Sequence, residues 1–301
     1  MRDPKTERLV RLSTYASVST AGTLIAIKLF GYIQTDAVSL LSSLVDSLLD
    51  AAASVATLYA VRRAQAPADR EHRFGHGKAE PLAALGQAAF IAGSAIFLIL
   101  EAGNRLYDPP ALANTNVGIA VMVFSIIATL GLITFQGYVV RKSGSVAIRA
   151  DRLHYVGDVL TNLSVILALV LVSQLGWRWV DPIFAIGIAG FILFKAAQIA
   201  RAALDMLMDR ELADADRKRI IEIVNGHPEV LAMHDLRTRT SGPDTFIQLH
   251  LELDGSMSLH AAHAIADAVE VEVRAAFPGA EVIIHEDPYG VEEIDEREVA
   301  D

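Results

Sequence analysis

The chain has 301 residues, of which 52% are hydrophobic; its mean hydropathy is +0.37 and it contains no cysteine. That apolar share is high for a soluble protein and favours a membrane class. Without cysteine there are no disulfides or thiolate ligands, so a bound metal must be held by nitrogen and oxygen, which disfavours soft Cu(I). The net charge of −10 is uneven, with 22 acidic and 8 basic side chains from Asp209 onward, a balance that repels nucleic acid and gathers cations.

Six apolar runs follow in order, at about 10–33, 38–61, 80–103, 115–140, 146–174 and 178–204, each near or above the ~20 residues of a spanning helix. The first is too long for a signal-peptide core, so no cleaved presequence is expected. Lys28 and Lys195, the lone lysines within runs, lie toward helix ends and are expected to snorkel. Basic residues collect in alternate connections: Arg2, Lys5, Arg8 and Arg11 before the first run, Arg62, Arg63, Arg70, Arg73 and Lys78 after the second, Arg141, Lys142 and Arg149 after the fourth. By the positive-inside rule both termini are cytoplasmic.

The second run carries Ser43-Leu-Val-Asp46-Ser-Leu-Leu-Asp50, two carboxylates one helical turn apart. His154 and Asp158 repeat that spacing in the fifth run. Charged groups at membrane depth mark ion paths, and three oxygens with one nitrogen suit a divalent metal. With antiparallel helices, each pair lies roughly 12–18 Å from opposite faces of a ~30 Å core, so the four meet at one depth. The connection 65–79 reads as a loop through Pro67, Gly75 and Gly77, and Asp69, His72 and His76 in it form either a three-ligand site or a solvated charged stretch.

After Asp209 the pattern becomes soluble. A helix at 213–225, strands at 230–240 and 245–254, a helix at 259–277 and a strand at 281–285 give the order αββαβ, a small two-layer α+β domain. The stretch 291–301, with five acidic residues in its first eight, is expected to be disordered. Six of the nine histidines lie in this domain. His250 alternates with apolar residues along its strand, and His285 stands beside Glu286 and Asp287, so these residues with His234 point to a metal site with a bridging carboxylate. His227, beside Pro228, reads as structural.

Together, the Asp46/Asp50 stretch, Asp69-Arg-Glu-His72-Arg-Phe-Gly-His76-Gly-Lys78-Ala-Glu80-Pro and Ala150-Asp-Arg-Leu-His154-Tyr-Val-Gly-Asp158 resemble the cation diffusion facilitators, most closely their bacterial zinc and ferrous-iron efflux branch. The likeness continues through His234-Asp-Leu-Arg-Thr-Arg and Val282-Ile-Ile-His285-Glu-Asp287-Pro, leaving out only the acidic tail. It implies a homodimer in the cell inner membrane. Each protomer would have six transmembrane helices (residues 1–208) and a small cytoplasmic ferredoxin-like, metallochaperone-like domain (209–290). It implies a transport site of Asp46, Asp50, His154 and Asp158, and a loop site of Asp69, His72 and His76. A binuclear cytoplasmic site would comprise His234, His250, His263, His285 and Asp287, and Lys78 and Asp209 would form a charge interlock near the dimer interface. Two positions depart from the pattern: Glu286 stands where relatives can carry an uncharged amide, and His260 is an extra potential ligand.

The expected activity is antiport of Zn(II), with Cd(II) or Fe(II) as related substrates, against protons; tetrahedral N/O ligation favours Zn(II) and Cd(II) over Mn(II). No organic cofactor and no nucleic-acid partner are expected. Ions in the soluble domain lie outside any path across the bilayer, so zinc there is expected to be regulatory. An intramembrane metalloenzyme is disfavoured, since no His-Glu-x-x-His motif and no open coordination position are present. A channel or metal sensor is separated from a transporter by proton coupling.

Overall fold

The computed structural model describes residues 4–35, 38–107, 116–175 and 180–290. The acidic tail therefore lies outside the described residues. The chain divides into two compact units between Leu207 and Met208.

The first unit consists of α1 (Pro4–Thr35), α2 (Val38–Ala64), α3 (Ala79–Tyr107), α4 (Asn116–Ser143), α5 (Val146–Leu175) and α6 (Val180–Leu207). Each of the six expected runs is thus one long helix, although they are not equivalent. Among the described residues, α1, α2, α3, α4 and α6 carry stretches long and apolar enough to cross a membrane. Helix α5 is polar in its first half, which holds Arg149, Asp151, Arg152, His154 and Asp158. Packing accommodates these groups. Helix α5 touches all five of its neighbours, and Ala147, Ile148, Ala150 and Asp151 are fully buried within the bundle. Phe97, Leu100, Ile127 and Phe194 of α3, α4 and α6 stand more than half exposed, as lipid-facing side chains do.

Close packing follows from small residues. Helices α3 and α6 meet along Ala84, Ala88 and Ala95 on one and Ala189, Ala196 and Ala203 on the other, which lets the backbones approach. The start of α5 is set by a tight turn after α4, where Gly144 adopts φ 68 and its amide donates to the Val140 carbonyl at 2.9 Å. Ser145 Oγ then accepts from the Ile148 amide, and Glu80 Oε1 accepts from the Val146 amide at 2.9 Å. Two orphan donors at the N-terminus of α5 are satisfied in this way, one by a neighbouring helix.

The second unit contains α7 (Asp214–Asn225), β1 (Ala232–Ser241), β2 (Asp244–Leu253), α8 (Leu259–Ala276) and β3 (Glu281–Pro288), the expected αββαβ order. The sheet runs β1-β2-β3, with β1 antiparallel and β3 parallel to the central β2. Ile247, Leu249, Leu251 and Leu253 alternate onto one face and bury against Ile220 and Val224 of α7 and Ile265, Val269 and Val273 of α8. Period two sends His250 and Glu252 to the opposite, helix-free face. Strand β3 runs three residues past the expected His285, because pairing with β2 continues to Leu253↔Pro288 and overrides the weak strand propensity of Glu286 and Asp287.

Candidate metal sites

In the membrane unit, α2 and α5 bring three of the four expected residues together. His154 Nε2 lies 2.7 Å from Asp50 Oδ1 and 3.8 Å from Asp158 Oδ2. One ligand atom from each of Asp50, His154 and Asp158 falls within 4.8 Å of the others. His154 is almost fully buried, edge-on to Tyr155 and beside Phe90. Asp46 does not join this group. It stands one turn away on α2 with its side chain exposed.

Next to these residues lies a polar network that periodicity did not reveal. Asp151, fully buried, accepts from Ser17 Oγ of α1 at 2.5 Å, Gln136 Nε2 of α4 at 2.6 Å and Gln87 Nε2 of α3 at 3.2 Å. Gln87 in turn accepts from Thr57 Oγ1 of α2 at 2.8 Å. Tyr155 OH and Ser54 Oγ, 2.9 Å apart, add a second link between α5 and α2. Four helices therefore meet at one carboxylate, a single turn of α5 before His154, and α2 joins them through Gln87. Lys28 also departs from expectation: rather than snorkelling, its Nζ donates to the Ser43 carbonyl at 3.1 Å and to Ser47 Oγ at 2.6 Å, both on α2.

The loop between α2 and α3 does gather its three residues. Asp69 Oδ1 accepts from the amides of His72 (2.7 Å) and Glu71 (3.0 Å). The His72 amide bond, with smaller help from its ring and the Glu71 amide, lowers the Asp69 carboxyl to about 2, leaving it ionised at physiological pH. His72 Nδ1 lies 3.2 Å from Asp69 Oδ1 and His76 Nε2 lies 3.1 Å from Asp69 Oδ2, with the two rings 4.6 Å apart. His76 is buried, yet neither ring nitrogen is aligned for a hydrogen bond. A buried imidazole facing a carboxylate without a donor–acceptor line suits a shared cation.

On the open face of the sheet, register builds the third cluster. His234 pairs with His250 across β1–β2, and His250 with His285 across β2–β3, so the three histidines form one row. The next row of β2–β3 pairs Glu252 with Asp287. Asp287 Oδ2 lies 2.9 Å from His250 Nδ1 and 3.8 Å from His234 Nε2, while Oδ1 lies 3.1 Å from His285 Nε2. A carboxylate with imidazoles on both oxygens has the geometry of a bridging ligand. Glu252 Oε1, which sequence reasoning missed, sits 3.1 Å from His234 Nδ1 and so turns Nε2 toward Asp287. His263 is not brought into this group; on α8 it faces Asp267 at 3.6 Å and Glu286 at 3.9 Å. His260 is exposed in the first turn of α8, and His227 Nδ1 accepts from the Glu229 amide. Lys78 Nζ donates to the Leu207 carbonyl at 3.3 Å, and Asp209 pairs with Arg239 at 3.3 Å.

Two family patterns together match nearly all of this chain: the cation efflux transmembrane domain over residues 14–208 and the cation efflux protein cytoplasmic domain over 212–289. The chain belongs to the cation efflux family. Its relatives include the cation-efflux pumps FieF of Serratia proteamaculans (strain 568), 47% identical, and Yersinia pestis (strain Pestoides F), 48% identical, each over 96% of both chains. Among solved structures, the metal-bound C-terminal domain of the CzcD transporter from Thermotoga maritima is 30% identical over 26% of this chain and 93% of that one, with a TM-score of 0.25. This cation efflux protein is accordingly a multi-pass membrane transporter of metal cations rather than an enzyme.

Proposed function

We propose that the protein exports Zn(II), and with it Cd(II) or Fe(II), from the cytoplasm in exchange for protons by alternating access. In this reading it works as a homodimer in the inner membrane with both termini cytoplasmic. The observation that carries the reading is the meeting of Asp50, His154 and Asp158, from two helices, within 4.8 Å inside the membrane unit. Asp46, exposed one turn away, is the fourth ligand, and swings in once a cation offsets its repulsion from Asp50. Ligation requires a neutral imidazole and ionised carboxylates, so metal and protons compete for the same atoms. Facing the cytoplasm, the site takes metal and gives up protons; facing outward, protons displace the metal. One nitrogen with three oxygens in a tetrahedral arrangement fits Zn(II). Asp69, His72 and His76 are proposed as an entry or loop site. His234, His250, His285 and Asp287, with His263 further out, are proposed as a regulatory site.

Uptake of Zn(II) into proteoliposomes under an imposed pH gradient, across a metal panel, tests the reading. Wild-type protein should accumulate Zn(II) with counterflow of protons. Asp50→Ala should abolish the flux without altering assembly on size exclusion. Wild-type flux in that variant would overturn the assignment.

A further inference from the structure

Lys28 has no place among the ligands, since an ammonium has three donors and no lone pair to offer a metal. Nor does it behave as a lysine escaping to the membrane surface. Half-buried against α2, it bonds the Ser43 carbonyl and Ser47 Oγ, the residues that flank Asp46 on the turn leading to Asp50. Its charge interacts with those of Asp50, Asp158 and Asp46 together. No ion pair within 4.0 Å joins it to any of these carboxylates. It is therefore a positive charge held close to the ligand set by two hydrogen bonds, without occupying the position of the transported ion.

We propose that Lys28 is a tethered counter-charge of the transport site, competing electrostatically with the divalent substrate and holding its affinity low enough for release. This rests on the reading of Asp46, Asp50, His154 and Asp158 as that site. Ligation ionises Asp46, Asp50 and Asp158 and leaves His154 neutral. Three negative charges beside one fixed ammonium leave a deficit of two, which a divalent ion cancels and a monovalent ion does not. The residue thereby matches the site to the charge of its substrate. Without the ammonium, the loaded site would keep a net negative charge at membrane depth, where charge interactions are weakly screened, and the ion would leave slowly.

The test uses full-length protein carrying Asp69→Ala and Asp287→Ala, so that only the membrane site reports, and titrates it with Zn(II) alone. Lys28→Gln keeps hydrogen-bond donors but removes the charge; it should bind Zn(II) at least about tenfold tighter and turn over more slowly in vesicles. Lys28→Arg keeps the charge and should stay within about threefold of the parent. Equal affinity in Lys28→Gln and the parent overturns the proposal, as does weaker binding in Lys28→Gln, which would mean the side chain only positions α2. Should Lys28→Gln fail to assemble, Lys28→Met, an unbranched neutral chain of similar length, carries the same comparison. Asp50→Ala in the same background separates the two readings. If it leaves Zn(II) binding intact, the transport-site assignment fails, whatever the lysine does.

Discussion

His234 illustrates how one carboxylate decides which nitrogen of a ring faces a metal. With Nδ1 held by Glu252 at 3.1 Å, Nε2 is the atom turned toward Asp287. Partners of this kind contribute about 10–100-fold in metal affinity. Glu252→Ala should therefore weaken Zn(II) binding by the soluble domain to that extent, read by titrating full-length protein in which Asp50→Ala and Asp69→Ala silence the other clusters. An unchanged affinity would make Glu252 a bystander. At this scale the sequence was partly legible. His250 and Asp287 announced themselves through strand alternation and unusual residue types, whereas a glutamate on the open face of a strand looks like any solvated acid. Lys28 misleads for a related reason: a lysine near a helix end can turn outward or sideways, and only the position of α2 decides which.

Helix α5 is the element on which the membrane unit turns. Asp151 collects three donors from α1, α3 and α4, all in the interior. Asp151→Ala would leave the Gln87 amide nitrogen without this acceptor and cost Ser17 and Gln136 one of theirs, a loss of about 3 kcal/mol for a buried polar hub. Thermal unfolding in detergent should show a clear drop in Tm, with Zn(II) transport reduced in proportion to folded protein if the network only supports, and beyond it if the network also sets the pitch of His154. Run length located all six helices, since the ~20-residue requirement is independent of neighbours. It could not show that the first half of the fifth is buried among the rest, because burial depends on packing between runs. The αββαβ order was likewise readable from punctuation and period, while the extension of β3 to Pro288 came from pairing with β2.

At the scale of the molecule, the chain is a membrane unit followed by an acidic soluble one. In the proposed homodimer two such soluble domains face each other with like charge, and bound divalent ions would offset the repulsion. A distance probe at one introduced cysteine, clean because the native chain has none, should report the two domains drawing together as Zn(II) is added. His250→Ala with Asp287→Ala should remove that response and shift the dependence of flux on zinc. If binding is lost while distance change and flux curve stay as in the parent, zinc there is a store and not a signal.

The enclosed position of α5 also bears on how the protein is made. The first half of α5, with Arg149, Asp151, Arg152 and Asp158, partitions poorly into lipid by itself. Asp151, Arg152 and His154 in that half meet partners on α1, α2, α3 and α4, which are synthesised before it. During biogenesis the first half of the nascent α5 is then expected to settle against the earlier helices rather than in bare bilayer. The order of elements along the chain doubles as the order of assembly, and the four preceding helices act as the solvent for the fifth.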